Sequence, residues 1–161
     1  MSGNEKKRMT DDEFDAFVDR IQGEAFADAL HAYGQRGFDR WRNPRFQGRM
    51  TDADGYGRVT GNCGDTIEIF LKIVDDHVAA ASFTTTGCAS SGLCGSFAAE
   101  LATGRSVEQL FDMKGEEVLA YIGTFPESER HCAFLAVASL HEAANDYLVL
   151  SSRENRLRSG V

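Results

Sequence analysis

Residues Thr66 to Thr86 read TIEIFLKIVDDHVAAASFTTT, and this stretch predicts two strands joined by a turn. In Thr66–Ile73 an isoleucine or leucine stands at every second position, and charged residues stand at two of the positions between. That period of two is typical of a half-buried strand. The segment Asp75-Asp76-His77 predicts the turn, and Val78–Thr86 predicts the returning strand of an antiparallel hairpin.

Helical patterns follow the hairpin, and one more strand precedes it. Arg58–Gly61 is predicted to belong to a preceding edge strand. Helices are predicted over Ser90–Gly104, Ser106–Phe111 and Glu116–Ile122. A long last helix from Ser128 to about Leu150 is apolar nearly all round, so it should be the central packed element. Strands followed by helices indicate an α+β domain, with a small antiparallel sheet of about three strands covered on one face by helices.

An accessory helix is predicted before the sheet. Thr10 provides an N-cap hydroxyl before three acidic residues, and apolar residues from Phe14 to Tyr33 recur at helical spacing. Gly34 and Gly37 predict its end, and Phe38–Tyr56 has no sustained period. We therefore expect three parts: a disordered leader with the accessory helix (1–37), a domain that contains the sheet (38–150) and a polar tail (151–161).

The composition excludes several classes of protein. With 161 residues, the chain suffices for one domain with a real core. A net charge of −8 argues against nucleic-acid binding, which needs a basic face. No apolar run approaches the roughly 20 residues that cross a bilayer, so no membrane association is expected. The polar start is not a secretory signal, which predicts a cytoplasmic protein with reduced thiols.

Three cysteines lie in short, distinctive settings. Cys63 and Asp65 belong to a Gly-Asn-Cys-Gly-Asp turn, Cys88 follows a glycine before a predicted helix, and Cys132 follows His131 near the start of the last helix. Thiols that meet a metal or a sulfur donor need an open, polar neighbourhood of this kind. The three cysteines, the aspartate and the histidine are therefore candidate metal ligands.

The predicted helices suggest how these thiols behave. Cys88 and Cys132 lie at helix starts, where the helix dipole should lower the thiol pKa. Adjacent helix residues point about 100° apart, so His131 and Cys132 are not expected to chelate one ion together. Cys94 lies inside a helical run and is predicted to be a small core residue. By ligand type alone, three thiolates with one Asp or His suit Zn²⁺ and an iron–sulfur cluster equally well.

The order of these motifs resembles the IscU/NifU-type iron–sulfur cluster assembly scaffolds. The resemblance runs from about Asn43 to Tyr147: Cys-Gly-Asp, a strand hairpin, Gly-Cys-x-x-Ser, and His-Cys opening the last helix. It implies a small antiparallel sheet with helices on one face. It also implies a scaffold, not an enzyme, on which a transient cluster, typically [2Fe–2S], is assembled and passed to apo iron–sulfur recipient proteins.

The resemblance also implies roles for single residues. Cys63, Cys88 and Cys132 would be the cysteine ligands, Asp65 a labilising ligand and His131 an alternative ligand. A cysteine desulfurase would supply sulfur as a persulfide, with Cys132 as the acceptor. Zn²⁺ is a second candidate in purified protein, because the same ligands bind it.

The chain departs from the family pattern in two respects. Members that recruit a dedicated Hsp70 chaperone carry Leu-Pro-Pro-Val-Lys shortly before His-Cys, whereas this chain has Phe-Pro-Glu-Ser-Glu-Arg from Phe125 to Arg130, so that partnership is not implied. The insertion and the lysine of the SufU branch are also missing.

Two alternatives to the scaffold remain. They are a zinc-dependent sulfurtransferase that relays sulfur through Cys132, and a structural zinc module.

Overall fold

The computed structural model describes residues 8–160, so most of the predicted leader lies outside the described residues. A three-stranded antiparallel sheet in the order β1-β2-β3 has helices before and after it, which confirms the predicted α+β class. The strands are β1 (Gly55–Thr60), β2 (Thr66–Val74) and β3 (His77–Thr85), and the helices are α1 (Asp11–Arg42), α2 (Ala89–Ala102), α3 (Val107–Leu110), α4 (Gly115–Ile122) and α5 (His131–Ser159), with a short 3₁₀ helix at Glu127–Glu129.

The hairpin of β2 and β3 forms as predicted. Asp75 and Asp76 have φ angles of 51° and 59°. Two consecutive positive φ angles are typical of the type I′ turn, whose twist matches that of the flanking strands. On β2, Ile67, Ile69 and Leu71 are completely buried. The alternation in the sequence therefore identified the face of the sheet that the helices cover.

Strand β1 lies directly on helix α5. The strand begins at Gly55, earlier than the predicted Arg58. A Cβ atom on Gly57 would overlap the carbonyl oxygen of Ser139 and the backbone nitrogen of Ala143, and a Cβ on Gly55 would overlap the carbonyl oxygen of Ala143. The two glycines therefore allow the strand and helix backbones to approach more closely than a larger residue permits.

The core lies between the sheet and helices α2 and α5. Helix α2 is buried along most of its length and matches the predicted Ser90–Gly104 within a residue or two. Burying one large apolar side chain contributes about 1.5–3 kcal/mol, so this cluster is the main source of stability. The largest completely buried apolar side chains are Phe97, Ile67, Ile69, Leu71, Leu110, Met113 and Leu140.

The helical span α1 is broken at Gly34, where the sequence predicted its end, and a second helical part that was not predicted continues to Arg42. Gly34 has a φ of 64°, outside the helical region, and Phe26 before the break lies 6.0 Å from Trp41 after it. The second half is anchored to α2, because the guanidinium of Arg40 lies 2.6 Å from the carboxylate of Glu100. Residues 38–42, predicted to be irregular, are therefore helical.

The first half of α1 carries its apolar stripe on the outside. Its start agrees with the prediction, since Thr10 and Glu13 form a capping box. Phe14 is 56% exposed and Ile21 is 45% exposed, and neither belongs to the buried core. The helical period was therefore predicted correctly, but within residues 8–160 the stripe packs on the core only at its end, at Tyr33.

Helix α5 begins and ends later than predicted. It begins at His131, because Ser128 belongs to the preceding 3₁₀ helix. It continues past Leu150 to Ser159, so the predicted polar tail is helical to that point. Arginines in the last turn favour this extension through the helix dipole. No helix within residues 8–160, including this long one, has the length and apolar character that a membrane crossing requires.

Candidate metal centre

The turn between β1 and β2 presents Cys63 and Asp65. The Gly61 N–H donates to the carbonyl oxygen of Asp65 at 2.9 Å, and the Gly64 N–H donates to that of Gly61 at 3.0 Å. Gly64 has a φ of 88°, a conformation that other residues rarely adopt. The Cys63 thiol is exposed. The predicted turn thus places a thiol at the surface.

Cys88 occupies the N-cap position of α2 and is exposed. Its side chain makes no capping hydrogen bond, so the thiol is not used to hold the helix end. Two residues further on, the buried Ser90 hydroxyl lies 2.9 Å from the hydroxyl of Tyr33. Helix α1 therefore contacts α2 close to this thiol.

Cys132, the second residue of α5, is completely buried. The pKa of its thiol is raised to about 11, chiefly by this burial, and a hydrogen bond with Ser91 offsets the effect only in part. Three neighbouring groups raise this pKa further through their charge, and they are Cys88, Glu129 and Cys63. The prediction that the helix dipole lowers this pKa is wrong, because lost hydration outweighs the partial charge at the helix end.

A buried serine connects Asp65 to Cys132. The Ser91 hydroxyl donates to Oδ2 of Asp65 at 2.6 Å and lies 3.4 Å from Sγ of Cys132. Gly87 lies against the carboxylate, since a Cβ there would overlap it. Ser91 is the serine of the Gly-Cys-x-x-Ser motif, for which the sequence suggested no role. Its spacing of three residues after Cys88 was the available signal, because residues three apart share a helix face.

The His131 imidazole lies beside the Cys132 thiol. Nδ1 is 3.1 Å from the carbonyl oxygen of Ser128, and because a carbonyl only accepts, Nδ1 carries the proton of the neutral ring. Nε2 therefore presents a lone pair, and it lies 3.7 Å from Sγ of Cys132. The two ligand atoms are therefore close together, although helix geometry was expected to turn one of them aside, because a carbonyl of the preceding turn holds the ring at the helix start.

Glu129 is a neighbour that the sequence analysis missed. It ends the 3₁₀ helix, and its Oε2 lies 3.9 Å from Sγ of Cys132. The possible ligand atoms of Glu129, His131 and Cys132 all lie within 4.8 Å of one another. A carboxylate three residues before a cysteine was the available signal.

The predicted site residues gather at one end of the domain. Cys63 and His131 line one open depression, together with Phe134 and Leu135. Thiolate sulfur, imidazole nitrogen and carboxylate oxygen all occur there, and this donor set suits Zn²⁺ or iron.

Cys94 lies outside this group. It is completely buried within α2, and burial raises the pKa of its thiol well above the ordinary value. The prediction of a small core residue is therefore confirmed.

The fold and this end of the sheet define an α+β domain that presents thiols from a turn and two helix starts. Residues 32–154 match the sequence model of the family described as NifU-like N terminal domain. The chain therefore belongs to the NifU-like N-terminal domain family.

Curated relatives and solved structures agree. The iron-sulfur cluster assembly scaffold protein IscU 1 of Archaeoglobus fulgidus is 34% identical over 128 residues, which cover 78% of this chain and 83% of that protein. IscU of Aquifex aeolicus, also named a scaffold protein, is 30% identical over 125 residues, covering 75% and 79%. The crystal structure of a nitrogen-fixing NifU-like protein (N-terminal) from Brucella abortus matches with a TM-score of 0.58 at 17% identity, covering 74% of this chain and 96% of that one. At 17% identity, this structural likeness is evidence for the fold alone.

Proposed function

We propose that this protein is a scaffold on which a transient iron–sulfur cluster, most simply [2Fe–2S], is assembled and then passed to apo recipient proteins. Cys63, Cys88 and Cys132 are the proposed thiolate ligands, with Asp65 and His131 as the exchangeable ones. The observation that carries the proposal is that the thiols of a turn and two helix starts gather at one end of the sheet. The names of the relatives point to the same activity.

The exposure of the ligands suits transfer better than storage. Cys63 and Cys88 are at the surface, whereas Cys132 is buried. A cluster held by these residues has one protected ligand and two that a recipient protein can reach. Structural zinc sites are instead closed by four fixed ligands. The exposed pair therefore favours a carrier over the structural zinc module.

Sulfur is proposed to come from a cysteine desulfurase, with Cys132 as the persulfide acceptor. Only a thiolate accepts sulfur in this exchange, and the raised pKa keeps Cys132 protonated near neutral pH. A metal ion bound at this thiol displaces its proton. Binding of a metal ion before sulfur transfer therefore fits this site.

A zinc-dependent sulfurtransferase that relays sulfur through Cys132 is the second candidate. The carboxylate, imidazole and thiol grouped at the start of α5 suit Zn²⁺, which favours it. Both activities are proposed for the cytoplasm, where thiols stay reduced.

Anaerobic reconstitution separates the two candidates. The protein is incubated with Fe²⁺, L-cysteine and a cysteine desulfurase, and visible charge-transfer bands are followed. We expect bands that disappear from this protein as an apo-ferredoxin acquires them. Binding of zinc alone, with a desulfurase turnover that rises with zinc, would instead establish the sulfurtransferase.

Replacing Asp65 with alanine should slow the loss of the cluster to a chelator several-fold. Carboxylate oxygen is the hardest and most exchangeable ligand among the thiolates, so its removal leaves a less labile site. The rate is followed by the decay of the visible bands, with Asp112→Ala as a control at an exposed carboxylate outside the site. Unchanged or faster loss in Asp65→Ala contradicts the labilising role.

A further inference from the structure

Three possible metal ligands lie on one short segment at the start of α5. We propose that Glu129, His131 and Cys132 form a loading site for a divalent transition-metal ion, in which Glu129 is a direct ligand. The inference rests on the proposed scaffold function and names where Fe²⁺ first binds; Zn²⁺ has the same ligand chemistry and competes there. Cys63 and Cys88 are not needed for this first step.

The separations from the Cys132 sulfur to the other two donors fit one ion. In a tetrahedral site, with metal–sulfur bonds of about 2.3 Å and metal–nitrogen or metal–oxygen bonds of about 2.0–2.2 Å, sulfur lies about 3.6 Å from the other donors. The observed separations from Sγ of Cys132 are 3.7 Å to Nε2 of His131 and 3.9 Å to Oε2 of Glu129. The nitrogen and the carboxylate oxygen lie within 4.8 Å of each other, and side-chain rotation that brings them to about 3.4 Å completes the site.

The imidazole is held in the form that coordinates a metal. The carbonyl oxygen of Ser128 accepts from Nδ1 of His131 at 3.1 Å, so the tautomer of the neutral ring has its lone pair at Nε2. Metal-bound histidines generally have such a partner on the other ring nitrogen, which fixes the tautomer and the ring orientation. This contact is an observation independent of the clustering of ligand atoms.

Glu129 is better placed than Asp65 to supply the carboxylate. Oδ2 of Asp65 accepts from the Ser91 hydroxyl at 2.6 Å, and that hydroxyl lies between Asp65 and the Cys132 thiol. One carboxylate and one thiolate balance the two charges of the ion. The thiol proton of Cys132 leaves to the buffer as the metal–sulfur bond forms, and no electron is transferred.

Glu127 shows that Glu129 is not simply an acidic residue near a helix start. Acids before a helix are favoured by its dipole, and both glutamates meet that condition. Glu127, however, has a side chain that is 89% exposed and pairs with Arg130 at 3.5 Å. It belongs to the same 3₁₀ helix and is not in the ligand group, so it provides a matched control.

The test is an anaerobic titration of the reduced full-length protein with Co²⁺, followed by competition with Zn²⁺. Thiolate-to-cobalt charge-transfer bands report coordination by sulfur. We expect Glu129→Gln to weaken binding about tenfold or more, because changes around metal ligands commonly cost that much. Glu127→Gln should bind like the wild type, and the far-UV circular dichroism of both variants should be unchanged.

A double variant isolates the loading site. With Cys63→Ser and Cys88→Ser together, one ion should still bind through a single thiolate, and adding Glu129→Gln should abolish the bands. Unchanged affinity in Glu129→Gln, or no binding by the double variant, overturns the inference. The wild type's cluster assembly distinguishes the two failures: if clusters still form and transfer, only the loading site is wrong. Preloading with Fe²⁺ or Zn²⁺ before adding L-cysteine, a cysteine desulfurase and a thiol reductant separates the ions, since only iron yields a cluster; the persulfide sulfur is reduced to sulfide by electrons from Fe²⁺ and the thiol.

Discussion

Replacing Gly57 with alanine should lower the free energy of unfolding by about 3 kcal/mol or more, which is a large share of the stability of a small domain. The added methyl group would overlap the backbones of Ser139 and Ala143. These are main-chain atoms of a packed helix, so they cannot move aside as a flexible side chain can. Chemical denaturation followed by circular dichroism measures the effect.

Gly92→Ala is the matched control for this prediction. Gly92 lies inside α2, and nothing lies within 4 Å of the position that its Cβ would take. Alanine there should raise the stability by about 0.5–1 kcal/mol, because glycine weakens a helix interior. If Gly57→Ala unfolded at the same denaturant concentration as the wild type, the close approach of β1 and α5 would be wrong.

Alkylation of the metal-free protein at pH 8 should modify Cys63 and Cys88 long before Cys132. Only the thiolate reacts, and a pKa of about 11 leaves Cys132 with about a hundredfold less thiolate than an ordinary cysteine. Burial slows the reagent further. Timed quenching and mass spectrometry of the peptides measure the order, and the rate at Cys132 should keep rising with pH until about 11.

Cys94 and the unfolded protein are the controls for this order. Cys94 is equally buried but lies within α2, so it should be no faster than Cys132. In denaturant all four cysteines should react at similar rates. Modification of Cys132 as fast as Cys63 at pH 8 would mean that the helix dipole, and not burial, determines its pKa.

The sheet could be predicted because its signals are local. The alternation of Ile67, Ile69 and Leu71 identifies one buried face, and consecutive aspartates identify the turn. The early start of β1 was missed because Gly55 and Gly57 are poor strand formers by themselves. Their presence there reflects contact with α5, which the local pattern does not contain.

The ends of the long helices were only partly predictable from local signals. The first part of α1 ends at Gly34 as expected, but the second part, to Arg42, was missed because it depends on Arg40 binding Glu100 on a distant helix. In α5, Ser128 had the composition of an N-cap but lies within a 3₁₀ helix. In α1 a tertiary ion pair favours helix after Gly34, and before α5 a 3₁₀ helix replaces the first turn that was predicted to be α-helical.

The residue types of the candidate site could be predicted from the sequence, but the burial and the neighbours of those residues could not. The proposed ligands Cys63, Cys88 and Cys132 could be singled out, because each stands at a turn or a helix start. The burial of Cys132 was missed, since it depends on packing that a helix-start position does not reveal. Glu129 was missed, and Ser91 was quoted without a role, because acids and serines near helix starts are common.

The break at Gly34 turns the two parts of α1 into a helical hairpin. Residues 12 and 15 positions apart on one straight helix are separated by about 18 and 22 Å. The ring of Phe26 nevertheless lies 6.0 Å from the rings of Phe38 and Trp41, so the two parts pack side by side. At the turn, a Cβ of Gly34 would lie 3.0 Å from Thr124. Tyr33, next to the turn, contacts Ser90, two residues from Cys88. The hairpin therefore holds Tyr33 against the start of the helix that carries one of the proposed ligands.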